Sequence, residues 1–113
     1  MQIIKIKISL QELKEISQET FGNLVKAVVD VNRHIMAIGG DLHSDEEALL
    51  LGDGSKQEDI WGINIYPEIQ GEEWIEFDSV INLRPLQENN TKYINNPDIR
   101  FKIIEIVNNL IEK

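Results

Sequence analysis

Residues 25–38, VKAVVDVNRHIMAI, carry two apolar runs separated by Asn32-Arg33. In the first run Val25, Ala27, Val29 and Val31 share one face, with Lys26 and Asp30 opposite, and the second run stops at Gly39-Gly40. A period of two is that of side chains alternating across a pleated strand. Asn tolerates the positive φ of a tight turn at little cost. The stretch therefore predicts an antiparallel hairpin, whose apolar face has to be covered by other elements.

The two ends of the chain supply covers. Near the N-terminus IIKIKI puts Ile4, Ile6 and Ile8 on one side of a strand and Lys5 and Lys7 on the other. Ser9 then opens a capping box with Glu12, followed by Leu10, Leu13, Ile16 and Phe21 at helical spacing and by Gly22 as a stop. At the other end Asn96-Pro97-Asp98 starts a last helix with a stripe of Ile99, Ile103, Ile106, Val107 and Leu110. Between them IWGINIY predicts a strand with Trp61, Ile63 and Ile65 on one face and Gly62 and Asn64 on the other. WIEFDSVINLRP predicts a further strand, with Ile75, Phe77, Ile81 and Leu83 set against Glu76, Asp78, Asn82 and Arg84.

GGDLHSDEE, residues 39–47, admits two readings. As an extended segment it places Asp41, His43 and Asp45 on one face, an inventory suited to Mn²⁺, Zn²⁺ or Fe²⁺. As a helix over 44–52, Ser44 and Glu47 form a second capping box and the acids sit where the helix dipole favours them. The helix is preferred to a strand running on to Leu51, and it dissolves the three-ligand face. The resulting order is strand, helix, strand, strand, short helix, strand, strand, helix. The expected fold is α+β, a mainly antiparallel sheet with helices on one face. Its first six elements match a ferredoxin-like βαββαβ unit, followed by an extra strand and the C-terminal helix.

A chain of 113 residues without linker or repeat is read as a single domain, 1–113. The absence of cysteine excludes disulfides, zinc-thiolate sites and thiol nucleophiles. No run approaches the ~20 apolar residues of a membrane span, and no signal peptide is read at the N-terminus, so the expected location is cytoplasmic. Residues 34–80 hold one base, Lys56, against twelve carboxylates, while each flanking segment carries one more base than acid. Phosphate affinity depends on Lys and Arg, so nucleic acid is not an expected partner. A cation, a small ligand or a basic protein is, unless the acids only keep the surface solvated.

Further candidates are few. HExxH, the EF-hand loop and G-x-S-x-G are absent, and GDGSK breaks the order of a phosphate loop. Trp74 stands at a strand entrance, where an exposed indole marks a binding surface. Asn82, Arg84 and Gln87 gather amides and a guanidinium at a sheet end, a setting for a small anion. The competing reading is a loop that ties its own backbone together. On the last helix Phe101, Ile104 and Ile111 widen the apolar arc beyond what one sheet needs, which predicts a homodimer interface.

FGNLVKAVVDV, GSKQEDIWGINIYP, EWIEFDSVINLRP and the closing NNPDIR helix resemble a family of small uncharacterised prokaryotic proteins known as a domain of unknown function. The resemblance implies a single-domain prokaryotic protein and supplies no activity or catalytic residue. Two classes of function fit the residues. One is a small acidic non-enzymatic binding or interaction module with no cofactor. The alternative is a metal-dependent enzyme using Asp41, His43 and Asp45.

Overall fold

The computed structural model describes residues 1–113. A five-stranded sheet forms its centre: β1 (Gln2–Ile4), β3 (Val25–Asp30), β4 (Ile35–Ile38), β5 (Ile60–Ile65) and β6 (Ile75–Glu76), in the order β1-β4-β3-β5-β6 with every neighbour antiparallel. β2 (Ile8–Ser9) and β7 (Ile111–Glu112) make a separate parallel pair. The helices are α1 (Leu10–Glu19), α2 (His43–Gly52) and α3 (Pro97–Leu110). The class is α+β, and none of the helices is long and apolar enough to cross a membrane.

Local signals hold where they are self-contained. Ser9 and Glu12 form the capping box of α1, and Asn96 caps α3 by accepting from the Asp98 N–H, with Pro97 next in line. The hairpin β3–β4 forms as read, but His34, at φ +58°, rather than Asn32 takes the left-handed turn position. Asp30 Oδ1 accepts from the N–H groups of Asn32 and Arg33 at 2.9 Å and so closes the turn from within.

Four expectations change. The first strand ends at Ile4; Ile6 stands 81% exposed, and Ile8 pairs with Ile111 at the far end of the chain. The stretch 74–85 is not one strand. After β6 the chain makes a 3₁₀ turn at Val80–Asn82, because the Ser79 hydroxyl accepts from the Ile81 N–H and diverts the backbone. Third, β4 does lie between β1 and β3 as a split βαβ unit requires, but β5 pairs with β3 instead of β1, so the ferredoxin-like order is not completed. β3 offers β5 six paired residues, whereas β1 is only three long.

Last, the helices do not share one face. α1 and α3 cover one side through Leu13, Ile103, Ile106 and Val107, packed on Ala27, Val29, Met36 and Ile63. α2 covers the other through Leu50, packed on Val28, Ile35, Ala37 and Ile60. The reason lies in β3, whose Val28 adds an apolar residue to the side that Lys26 and Asp30 mark as polar, so both faces need a cover. The result is three layers.

Candidate functional site

Strand register sets three polar side chains in a row: Lys26 of β3 opposite Asn64 of β5, and Asn64 opposite Glu76 of β6. Lys26 and Val28 alternate onto the same side, so the row lies on the face that α2 covers. His43, the first residue of α2, turns inward, and its Nε2 lies 2.7 Å from the Ile63 carbonyl oxygen. Asn64 Nδ2 donates to Glu76 Oε1 at 2.7 Å, and the Tyr66 hydroxyl donates to the same oxygen at 3.2 Å. Asn64 Oδ1 is buried and receives no hydrogen bond. Burial lowers the His43 imidazole below its ordinary 6.5, with Lys26 adding to the effect and the Ile63, Asn64 and Asp78 contacts opposing it.

One turn on, Glu46 is fully buried. Its Oε2 accepts from the Gly40 N–H at 3.0 Å, and its Oε1 has no partner. Burial pushes this carboxyl up to about 9, against the Gly40 hydrogen bond and Lys26, so at neutral pH it is an uncharged acid. Position 40 is glycine for space: a Cβ there would stand 2.9 Å from Glu46 Cγ.

The polar row ends at the surface in an open pocket of about 440 Å³, bordered by Glu72, Glu73, Glu76, Asp78, Phe77 and Tyr93. The two rings meet edge to face, centroids 6.3 Å apart. The ion pairs of the chain, Lys5–Asp53, Lys14–Glu68, Arg33–Asp53 and Arg84–Glu47, include none of the four pocket carboxylates; the base beside the pocket is Arg100, whose guanidinium lies 5.1 Å from the centre of the Tyr93 ring. Such a pocket, with carboxylates and π-faces together, suits an ammonium or guanidinium group.

The residues singled out from the sequence are dispersed. Asp41 and Asp45 border an open pocket beside Met1 and Gly39, while His43 points into the interior, and no three His, Asp or Glu side chains stand close enough to hold a metal ion. The helix that separates them starts without the Ser44–Glu47 box: Leu42 is its cap, and Glu47 is drawn away to Gln57 and Arg84.

Asn82 uses its amide as a substitute strand, accepting from the Gly62 N–H at 2.8 Å and donating to the Gly62 carbonyl at 2.9 Å. Arg84 donates to the carbonyls of Ile81 and Gln57 and lies 4.7 Å from the centre of the Trp61 ring; Gln87 donates to the Glu58 carbonyl. These three side chains bond the backbone of neighbouring segments. Trp74 is 2% exposed rather than displayed, with the Lys113 ammonium 3.9 Å above its ring. Of the proposed interface, Ile111 is buried in β7, Ile104 packs partly against the main core, and Phe101 alone projects, 67% exposed. Glu46, Glu76, Asp78 and Tyr93 escaped notice as site residues. Asn64, opposite the apolar face of its strand, was the one local signal.

Fold and site together define a small three-layer α+β protein with an acidic pocket at one end of its sheet. The chain belongs to the family described as Protein of unknown function (DUF5674), which it matches over residues 2–110. No curated protein and no solved structure matches it.

Proposed function

We propose that this protein is a non-enzymatic binding module whose pocket at Glu72, Glu73, Glu76 and Asp78 receives a positively charged group. The observation that carries the reading is that these four carboxylates take part in no ion pair, around a cavity bordered by Phe77 and by Tyr93, whose ring already holds the Arg100 guanidinium at 5.1 Å. A cation entering there meets four carboxylates without having to displace an existing ion pair. The ligand is a small cationic molecule or a Lys or Arg side chain of a basic protein. The surrounding acidity argues against nucleic acid. The test is NMR titration with argininamide at low ionic strength. Shifts centred on Tyr93 and weakened in Glu73→Gln with Asp78→Asn support the reading; a spectrum that argininamide leaves unchanged rejects it.

A cytoplasmic location and a prokaryotic origin are part of the same proposal, as is a homodimer through α3. For the dimer Phe101 is the side chain left to bury. Light scattering on the wild type and on Phe101→Glu tests it: a monomer mass for the wild type removes the dimer.

A further inference from the structure

Trp74 is 2% exposed, yet two cavities border it. One, of about 330 Å³, is lined by Leu10 at the start of α1 and by Glu68 and Ile69. The other, of about 220 Å³, is lined by Ile104 of α3 and by Glu72. Gly71, Trp74 and Lys113 are common to both. The Lys113 ammonium stands 3.9 Å from the centre of the indole ring and enters no ion pair, so the ring is the partner of its charge. The attraction is that of a cation for the negative face of an aromatic quadrupole, for which indole is the best side chain. Lys113 lies beyond the last paired residue of β7, Glu112, so its side chain can leave the ring without opening the β2–β7 pairing.

We infer that the Trp74 face is a binding site for a small alkylammonium, occupied in the free protein by Lys113 as an internal competitor. The lysine side chain is itself an n-butylammonium group, so the structure shows this class of ligand seated on the ring. An incoming alkylammonium displaces the Lys113 ammonium into water and sets its own charge on the indole. Its methylenes have apolar wall in Leu10 and Ile69 of one cavity or Ile104 of the other, and each cavity adds a carboxylate, Glu68 or Glu72. Glu68 has only a long ion pair with Lys14, at 3.7 Å, and Glu72 has none. A short tether gives Lys113 an effective concentration in the millimolar range, so the site stays closed to dilute amines. It does not depend on the pocket at Glu76, Asp78 and Tyr93, with which it shares Glu72 and Ile75 alone.

The experiment titrates n-butylammonium into the full chain and follows the indole N–H signals by NMR, with n-pentanol as a neutral control of similar shape. Trp61, buried with Arg84 against its ring, supplies the unmoved reference signal. In Lys113→Gln, which removes the internal cation, the Trp74 signal saturates at a butylammonium concentration about threefold to thirtyfold lower than in the wild type, the range that a cation on an indole is worth. Pentanol moves the signal less than butylammonium in both proteins. Equal affinities in variant and wild type overturn the competition. A Trp74 signal that butylammonium leaves in place, or moves no more than pentanol does, overturns the site. Shifts at Tyr93 without shifts at Trp74 also overturn it and leave the acidic pocket standing. If Lys113→Gln does not fold, the wild-type comparison of butylammonium with pentanol decides alone.

Discussion

The two faces of the sheet are built on different principles. Beneath α1 and α3 lies one continuous cluster of eighteen buried apolar residues. Beneath α2 the apolar cluster has five members, and the same face carries the polar row Lys26, Asn64 and Glu76 with the buried His43 and Glu46. Two of the three buried side-chain atoms without a hydrogen-bond partner, Glu46 Oε1 and Asn64 Oδ1, belong to the α2 side. An orphaned polar group costs about 1–3 kcal/mol, so that face gives up stability which the other retains. The difference suggests a division of labour: the large core holds the chain folded, and the smaller face is free to keep groups whose charge can change.

That contrast is broken or sharpened first by truncating one leucine on each side. Leu13→Ala removes a fully buried side chain from the large cluster, and chemical denaturation should record a loss of about 3–5 kcal/mol. Leu50→Ala acts in the smaller cluster, where α2 can settle into the space, and should lose about 2–3 kcal/mol. Equal losses would mean that both faces are packed to the same tightness.

Glu46 gives the next largest effect. Its folded-state value of about 9 stands above the ordinary 4.5, so the folded chain keeps a proton that the unfolded chain releases. The stability tied to that proton is complete below about pH 4.5 and is lost as pH rises towards 9. Glu46→Gln should flatten this dependence and, at about pH 8, stabilise the fold by roughly 2–4 kcal/mol. Unfolding curves at several pH values that fall equally in variant and wild type would show that the carboxyl is not the source.

Asn82→Ala is the smallest of the three. It strips the Gly62 N–H and carbonyl of their partners in a buried setting, and a loss of roughly 1–3 kcal/mol is expected in thermal or chemical unfolding. Argininamide binding should be unchanged, since Asn82 serves the loop and not the pocket. Loss of binding in a protein that remains folded would reassign it to the site.

How far the sequence could be read follows from how far each signal reaches. The Ser9 capping box and the Asn96 cap were legible because each is a bond between groups at most three residues apart. The opposite case is Trp74, whose burial depends on Lys113 and on a core drawn from both ends of the chain. Asn82 and Arg84 attracted notice as polar residues at a sheet end. Their partners, Gly62 and Gln57, lie 20 and 27 residues away. The pocket was legible only as an excess of acid in residues 34–80, without the residues that form it.

By itself, then, the sequence determined the hairpin at 25–38, the starts of α1 and α3, the α+β class and the acidity of the middle of the chain. These follow from side-chain period, from hydrogen bonds closed within a single turn and from charge, none of which needs a distant partner. Tertiary structure alone decided that α2 crosses to the second face, that His43 turns away from Asp41 and Asp45, and that Glu46 holds its proton. It also decided that Glu76 and Asp78 meet Tyr93 around one pocket. Those outcomes depend on which surfaces exclude water together, and that is fixed only when strands from separate parts of the chain pair and both faces of β3 find their covers.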